Sequence, residues 1–158
     1  MSIPVRTAAP SPLDDARLDS VNEDSIRRLV HQFYAQVQRD DLIGPIFGRK
    51  IESERWPQHL EKMCAFWSSL LLKTRRYDGR PLPPHLQIPE LSDAHFQRWL
   101  SLFRATTKNV FNAGDAAAVS AIAAKIAHSF RLSIALQRGE DTTKLMPLLV
   151  SEPVEKKS

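Results

Sequence analysis

The chain has 158 residues, 42% hydrophobic and 25% charged, with 22 Lys+Arg against 18 Asp+Glu and a net charge of +4. This is the composition of one globular domain with a real core, and it excludes a chain disordered throughout. No long uncharged apolar run stands out as a membrane span, and the single cysteine, Cys64, excludes an internal disulfide and any multi-cysteine zinc or iron–sulfur site. A reducing compartment is expected. Met1 to Ser20 has no apolar run of the signal-peptide kind, so the expected location is the cytoplasm.

The basic residues are scattered apart from Arg49-Lys50 and the cluster Lys73, Arg75 and Arg76. A nucleic-acid interface concentrates its charge on one face or helix, so no nucleic-acid partner is expected. A small anionic ligand fits the mild excess equally well.

Residues 1–19 are rich in Ala, Pro, Ser and Asp and are expected to form an N-terminal tail, with a helical domain over residues 20–139 and a flexible tail over residues 140–158. Ser20 with Glu23 has the form of a capping box. After it Ile26, Leu29, Val30, Phe33 and Val37 form one helical stripe, which Gly44-Pro45 ends. From about Ser53 a second stripe runs through Trp56, Leu60, Met63, Phe66, Trp67, Leu70 and Leu71, with Pro57 tolerable in the first turn. Tyr77 to Glu90 holds Gly79, Pro81, Pro83, Pro84 and Pro89, which leaves room for a short helical turn at most. Ser92 is a plausible N-cap for a helix whose apolar face is Phe96, Trp99, Leu100, Phe103, Val110 and Phe111. Beyond Asn112-Ala113-Gly114 an alanine-rich helix carries Val119, Ile122, Ile126, Phe130 and Ile134, and Gly139 stops it. Strict two-residue alternation is absent, so the chain reads as all-α.

HExxH, P-loop, GxGxxG and GxSxG patterns are all missing. Cys64 lies beside an apolar stripe and is expected to be buried and inert. Of five histidines, His31, His95 and His128 are given no chemistry. His59 is in register with Met63, Phe66 and Leu70, at spacings of four, seven and eleven, which puts an imidazole on an inward stripe. His85 follows Pro83-Pro84, where the prolines restrict the backbone and lower the cost of holding a side chain in place. Each also has a plain structural reading, as a core histidine and as an exposed linker histidine. Tyr34 and Trp99 bring further donors to apolar stripes. A core that takes in a phenol, an indole N–H and an imidazole needs something polar to satisfy them.

In order along the chain come Phe33-Tyr34, Leu42-Ile43-Gly44-Pro45-Ile46-Phe47, Trp56-Pro57-Gln58-His59-Leu60, Phe66-Trp67, Tyr77-Asp78-Gly79-Arg80-Pro81, Pro84-His85-Leu86 and His95-Phe96-Gln97-Arg98-Trp99-Leu100. This set resembles the truncated haemoglobins of the third group over about residues 20 to 138. The resemblance implies a shortened globin fold, a two-over-two helical sandwich around haem b. It implies His85 as the iron ligand and Phe47 as the ring packed on the haem face. Tyr34, His59 and Trp99 fall at the distal positions where catalysis would occur, with Met63 one turn beyond His59. Phe66 and Tyr77 join the expected cofactor contacts, and Arg75 and Arg76 are candidates to pair with the haem propionates. The sequence departs from the family at Lys73-Thr74-Arg75-Arg76, where a small, glycine-containing stretch is common, and at Pro83-Pro84.

The expected function is binding of O2, NO, CO or peroxide at haem iron, for NO detoxification or peroxide and oxygen redox chemistry rather than transport. As an enzyme the chain would be an NO dioxygenase or peroxidase-like protein drawing on an external electron donor or reductase. The alternatives are a gas or redox sensor acting through a protein partner, and a haem-free helical interaction module in which His59 and His85 are structural.

Overall fold

The computed structural model describes residues 18–148. The expectations for residues 1–17 and 149–158, which make up most of the two tails, lie outside them. Among the described residues all regular structure is helical. In chain order these are α1 (Glu23–Arg39), α2 (Gly44–Lys50), a 3-10 turn (Ser53–Arg55), α3 (Trp56–Leu72), α4 (Leu82–Leu86), α5 (Asp93–Val110) and α6 (Ala113–Gln137). The chain is all-α, as its apolar periodicity indicates.

The cap of α1 differs from the expected Ser20/Glu23 box. Asn22 is the N-cap: its side-chain oxygen accepts the Ser25 N–H at 2.9 Å, and the Ser25 hydroxyl accepts the Asn22 N–H at 2.9 Å. Ser20 is used elsewhere. Its N–H and hydroxyl both donate to Asp115, in the first turn of α6, so the start of the domain is tied to its last helix. The stripe Ile26, Leu29, Val30, Phe33 and Val37 is buried to 2% exposure or less. It packs against α3 and α5.

Asp40 turns the chain into α2 by accepting the N–H groups of Leu42 and Ile43 at 3.0 and 2.9 Å while pairing with Arg98 at 2.6 Å. Gly44 is required there, since a Cβ would lie 2.9 Å from the Val37 carbonyl oxygen. Ser53 starts a 3-10 turn rather than the α-helix itself, which begins at Trp56 with Pro57 in its first turn.

Helix α3 has two apolar faces. Cys64, Trp67, Ser68 and Leu71 are buried, whereas His59, Leu60, Met63, Phe66 and Leu70 are half-buried. The same split recurs on α5, where Trp99 and Leu102 are half-buried beside buried Phe96, Leu100 and Phe103. On α6 the half-buried pair is Ile126 and Phe130. The core proper is aromatic at its centre: Phe103 stacks on Trp67 at 4.9 Å and on Trp99 at 5.3 Å, and meets Phe33 edge-on at 5.2 Å.

Ser92 caps α5 as expected, in a capping box with His95. Asn112 caps α6, so Ala113 and Gly114 belong to its first turn rather than to the link before it. At the far end Gly139, at φ +73°, reverses the chain and brings the Glu140 N–H to the Ala135 carbonyl at 2.9 Å. Among the described helices only α6 is long and apolar enough to cross a membrane. It packs instead against α5 and α4, and its buried Arg131 makes a two-pronged ion pair with Asp93 at 2.9 and 3.1 Å. Arg131 also donates to the Met146 carbonyl at 2.8 Å, and Leu148 packs on the core, so the mostly exposed segment after α6 is tied back to the helices at these two points.

Candidate functional site

Tyr34, on the buried stripe of α1, is the hub of an aromatic group. Its ring meets His59 at 5.1 Å, Phe47 at 5.8 Å, Trp56 at 5.8 Å and Phe33 at 4.9 Å. Burial raises the Tyr34 pKa well above a free phenol, so the hydroxyl keeps its proton at any ordinary pH. Trp56 sits between Phe47 and His59, at 6.4 and 5.4 Å. Trp56 is a site residue that the expectations from sequence do not include; its place one turn before His59 on the same helix is the available signal.

His59 is the unusual member. Its Nε2 is buried and has no hydrogen-bond partner within the protein. Burial first, then Lys62 and the nearby His85 imidazole, push its pKa down to about 4, so the ring is neutral at pH 7. A buried, unpaired imidazole nitrogen costs free energy unless something else satisfies it.

His85 projects from α4, whose five residues begin after Pro81 and include Pro83 and Pro84. Its Nδ1 lies 2.6 Å from the Pro81 carbonyl oxygen. A carbonyl only accepts, so Nδ1 carries the proton and Nε2 presents a bare lone pair. Metal-binding histidines use this arrangement, with the far N–H fixed by a backbone carbonyl. Burial lowers the His85 pKa, opposed by the Pro81 hydrogen bond, and the lowering keeps the lone pair free. Phe130 of α6 lies against the ring at 4.7 Å.

The remaining expected residues are distributed unevenly. Met63 is half-buried one turn beyond His59, and half-buried Phe66 meets Tyr77 edge-on at 5.2 Å. Tyr77 is held by its backbone N–H, which donates to the Ser69 hydroxyl at 2.8 Å. Trp99 is joined to Tyr34 through Phe33, whose ring lies 5.6 Å from that of Trp99 and 4.9 Å from that of Tyr34. Arg76, a candidate propionate partner, is engaged in an ion pair in this structure. Its guanidinium pairs with Glu23 in the first turn of α1 at 2.8 Å, where Ser68 also donates to the same carboxylate. Left-handed backbone at Lys73 and Arg75 turns the link in that direction, and Arg75 remains exposed.

An open cavity of about 400 Å3 lies beside this group, with buried Tyr34 and half-buried Leu60 on its inner wall and His31, Gln38 and Arg39 exposed at its rim. Cys64 is buried and its thiol pKa is raised by burial, so it is not a reactive thiolate.

No family profile matches the chain. It is, however, 36% identical over 98 residues to a group 3 truncated hemoglobin of Campylobacter jejuni, a match spanning 61% of this chain and 77% of that protein. The chain belongs to the group 3 truncated haemoglobins. Its fold agrees: the crystal structure of the group III truncated hemoglobin from Campylobacter jejuni superposes with a TM-score of 0.70 at 32% identity, covering 75% of this chain and 95% of that one. The all-α architecture is therefore the shortened globin fold, and membership in this family implies a haem cofactor.

The residues present fit such a group. Nε2 of His85 is free to bind iron, and Nε2 of His59 is buried and lacks any protein partner. Large apolar side chains on four helices, among them Met63, Phe66, Leu86, Trp99 and Phe130, are only partly buried, as the contacts of a broad apolar ligand would be.

Proposed function

We propose that this chain holds haem b through His85 and uses Tyr34, His59 and Trp99 to retain a small polar ligand, for NO detoxification or peroxide and oxygen redox chemistry rather than for oxygen transport. Bound haem would supply an iron with one position left for a diatomic gas or peroxide. The observation that carries the reading is the Nδ1–H bond from His85 to Pro81, which leaves Nε2 as a preset ligand atom. Phe47, Met63, Phe66 and Tyr77 would provide the apolar contacts. Arg75 is the better candidate for a propionate, since Arg76 is engaged by Glu23.

The distal residues divide the work by their protonation. Tyr34 keeps its phenolic proton and is a standing hydrogen-bond donor. His59 is neutral and can donate one N–H or accept a proton at its other ring nitrogen. A hydrogen bond to a group carrying charge contributes about 1.5–3 kcal/mol, and each 1.4 kcal/mol is about tenfold in affinity. Two such donors favour slow release, which suits turnover of a held ligand and works against carriage. Electrons would come from a separate reductase.

The test is the rate of NO consumption by the oxygenated protein, compared with its rate of oxygen release. Fast NO consumption with slow release supports the reading. Fast release with no NO or peroxide turnover contradicts it.

A further inference from the structure

The short helix that carries His85 has little of its own to hold it. Pro83 and Pro84 have no N–H, and the bonds closing the chain behind them are long: Gln87 to Pro84 at 3.3 Å, Ile88 to His85 at 3.2 Å and Leu91 to Ile88 at 3.3 Å. The turn they lead into is gripped from outside. Arg138, the C-cap of α6, donates through Nη1 to the Leu91 carbonyl at 2.9 Å, and through Nη2 to those of Pro89 at 2.9 Å and Ile88 at 3.5 Å. A planar guanidinium suits three carbonyls of one turn; an ammonium is a point donor and does not span them equally. The same helix places Phe130 against the His85 ring at 4.7 Å. Helix α6 therefore meets α4 at the imidazole itself and again at the turn behind it.

We propose that Arg138 is a positioning residue for His85. By fixing the turn at Ile88–Leu91 it sets the tilt of α4, and with it the direction in which Nε2 presents its lone pair. The proposal rests on His85 being the iron ligand. Ile88 and Leu91 are themselves buried at 9% exposure, so the competing account is that these side chains fix the turn unaided and Arg138 is silent.

The two accounts separate in the iron–histidine stretching band of the ferrous, ligand-free holoprotein, recorded by resonance Raman for the wild type, Arg138→Ala and Arg138→Lys. Melting curves and circular dichroism establish which variants are folded. The expected result is a band that shifts and broadens in Arg138→Ala, with Arg138→Lys falling between it and the wild type. In the haem-free protein the Nδ1–H proton resonance of His85, sharpened by its bond to Pro81, should broaden in the same order. A folded Arg138→Ala protein with an unchanged band and an unchanged proton resonance would overturn the proposal. If Arg138→Ala does not fold, Arg138→Lys carries the test, and a wild-type band in that variant overturns the proposal equally. A wild-type protein with no iron–histidine band refutes the ligand role of His85 instead.

Discussion

The rings of Tyr34 and His59 meet at 5.1 Å and 86°, edge against face, in the buried space between α1 and α3. Replacing Tyr34 by Phe keeps that packing and removes only the hydroxyl. The oxygen dissociation rate of the haem-loaded protein should rise about tenfold to a hundredfold, the equivalent of one hydrogen bond to a charged group. Stopped-flow displacement of oxygen by CO checks this. A rate within twofold of the wild type would remove Tyr34 from ligand retention.

His59 gives the haem-free protein a characteristic pH dependence. Its pKa is about 4 in the folded chain against an ordinary value of 6.5. The unfolded chain therefore binds the proton first, so the stability is complete above pH 6.5 and falls as the pH drops towards 4. The ring is only partly shielded, so solvent screening reduces the loss to about 1–2 kcal/mol. His85, also shifted down, adds a loss of the same sign. Urea unfolding at pH 7 and pH 4.5 should show this loss in the wild type and a smaller one in His59→Leu.

The ion pair between Arg131 and Asp93 is lopsided: the arginine side chain is 5% exposed and the aspartate 62%. Removing one partner therefore has unequal consequences. Asp93→Ala leaves a buried cation with the Met146 carbonyl as its remaining partner and should cost about 2–3 kcal/mol. Arg131→Met leaves an exposed carboxylate in water, keeps most of the apolar volume and should cost about 1–2 kcal/mol. Denaturant midpoints of the two variants decide the order; equal losses would contradict the account.

Lys73 and Arg75 have φ of +60° and +58°, a conformation that strains any residue with a Cβ. Lys73→Gly and Arg75→Gly should each stabilise the protein by about 1 kcal/mol, less what the unfolded chain gains in entropy. Thermal unfolding of the haem-free forms measures this directly.

The helices were legible in the sequence because their apolar stripes repeat at helical spacing, and Ser92 and Gly139 mark the start of α5 and the end of α6; Gly44-Pro45, expected to end the first helix, instead opens α2, since α1 already stops at Arg39. His85 stood out because prolines surround it, and His59 because a polar ring occurred in register with Met63, Phe66 and Leu70. What escaped the sequence depends on distance in space. Asn22 displaced Ser20 as the cap because Asp115, 95 residues away, takes both Ser20 donors. The ion pair of Arg76 with Glu23, 53 residues away, has no signal in the sequence either. The two faces of α3 merged into one stripe, since hydropathy alone does not separate residues buried in the core from those left half-covered. Trp56 was missed for the same reason.

The central claim is that Nε2 of His85 binds haem iron. The most direct measurement is the absorption spectrum of the haem-reconstituted protein and of His85→Ala, ferrous, with and without CO. The wild type should show a Soret band at one haem per chain that shifts sharply on CO addition, and His85→Ala should lose its haem on gel filtration. A His85→Ala protein that keeps its haem with the wild-type Soret band and CO shift would contradict the claim.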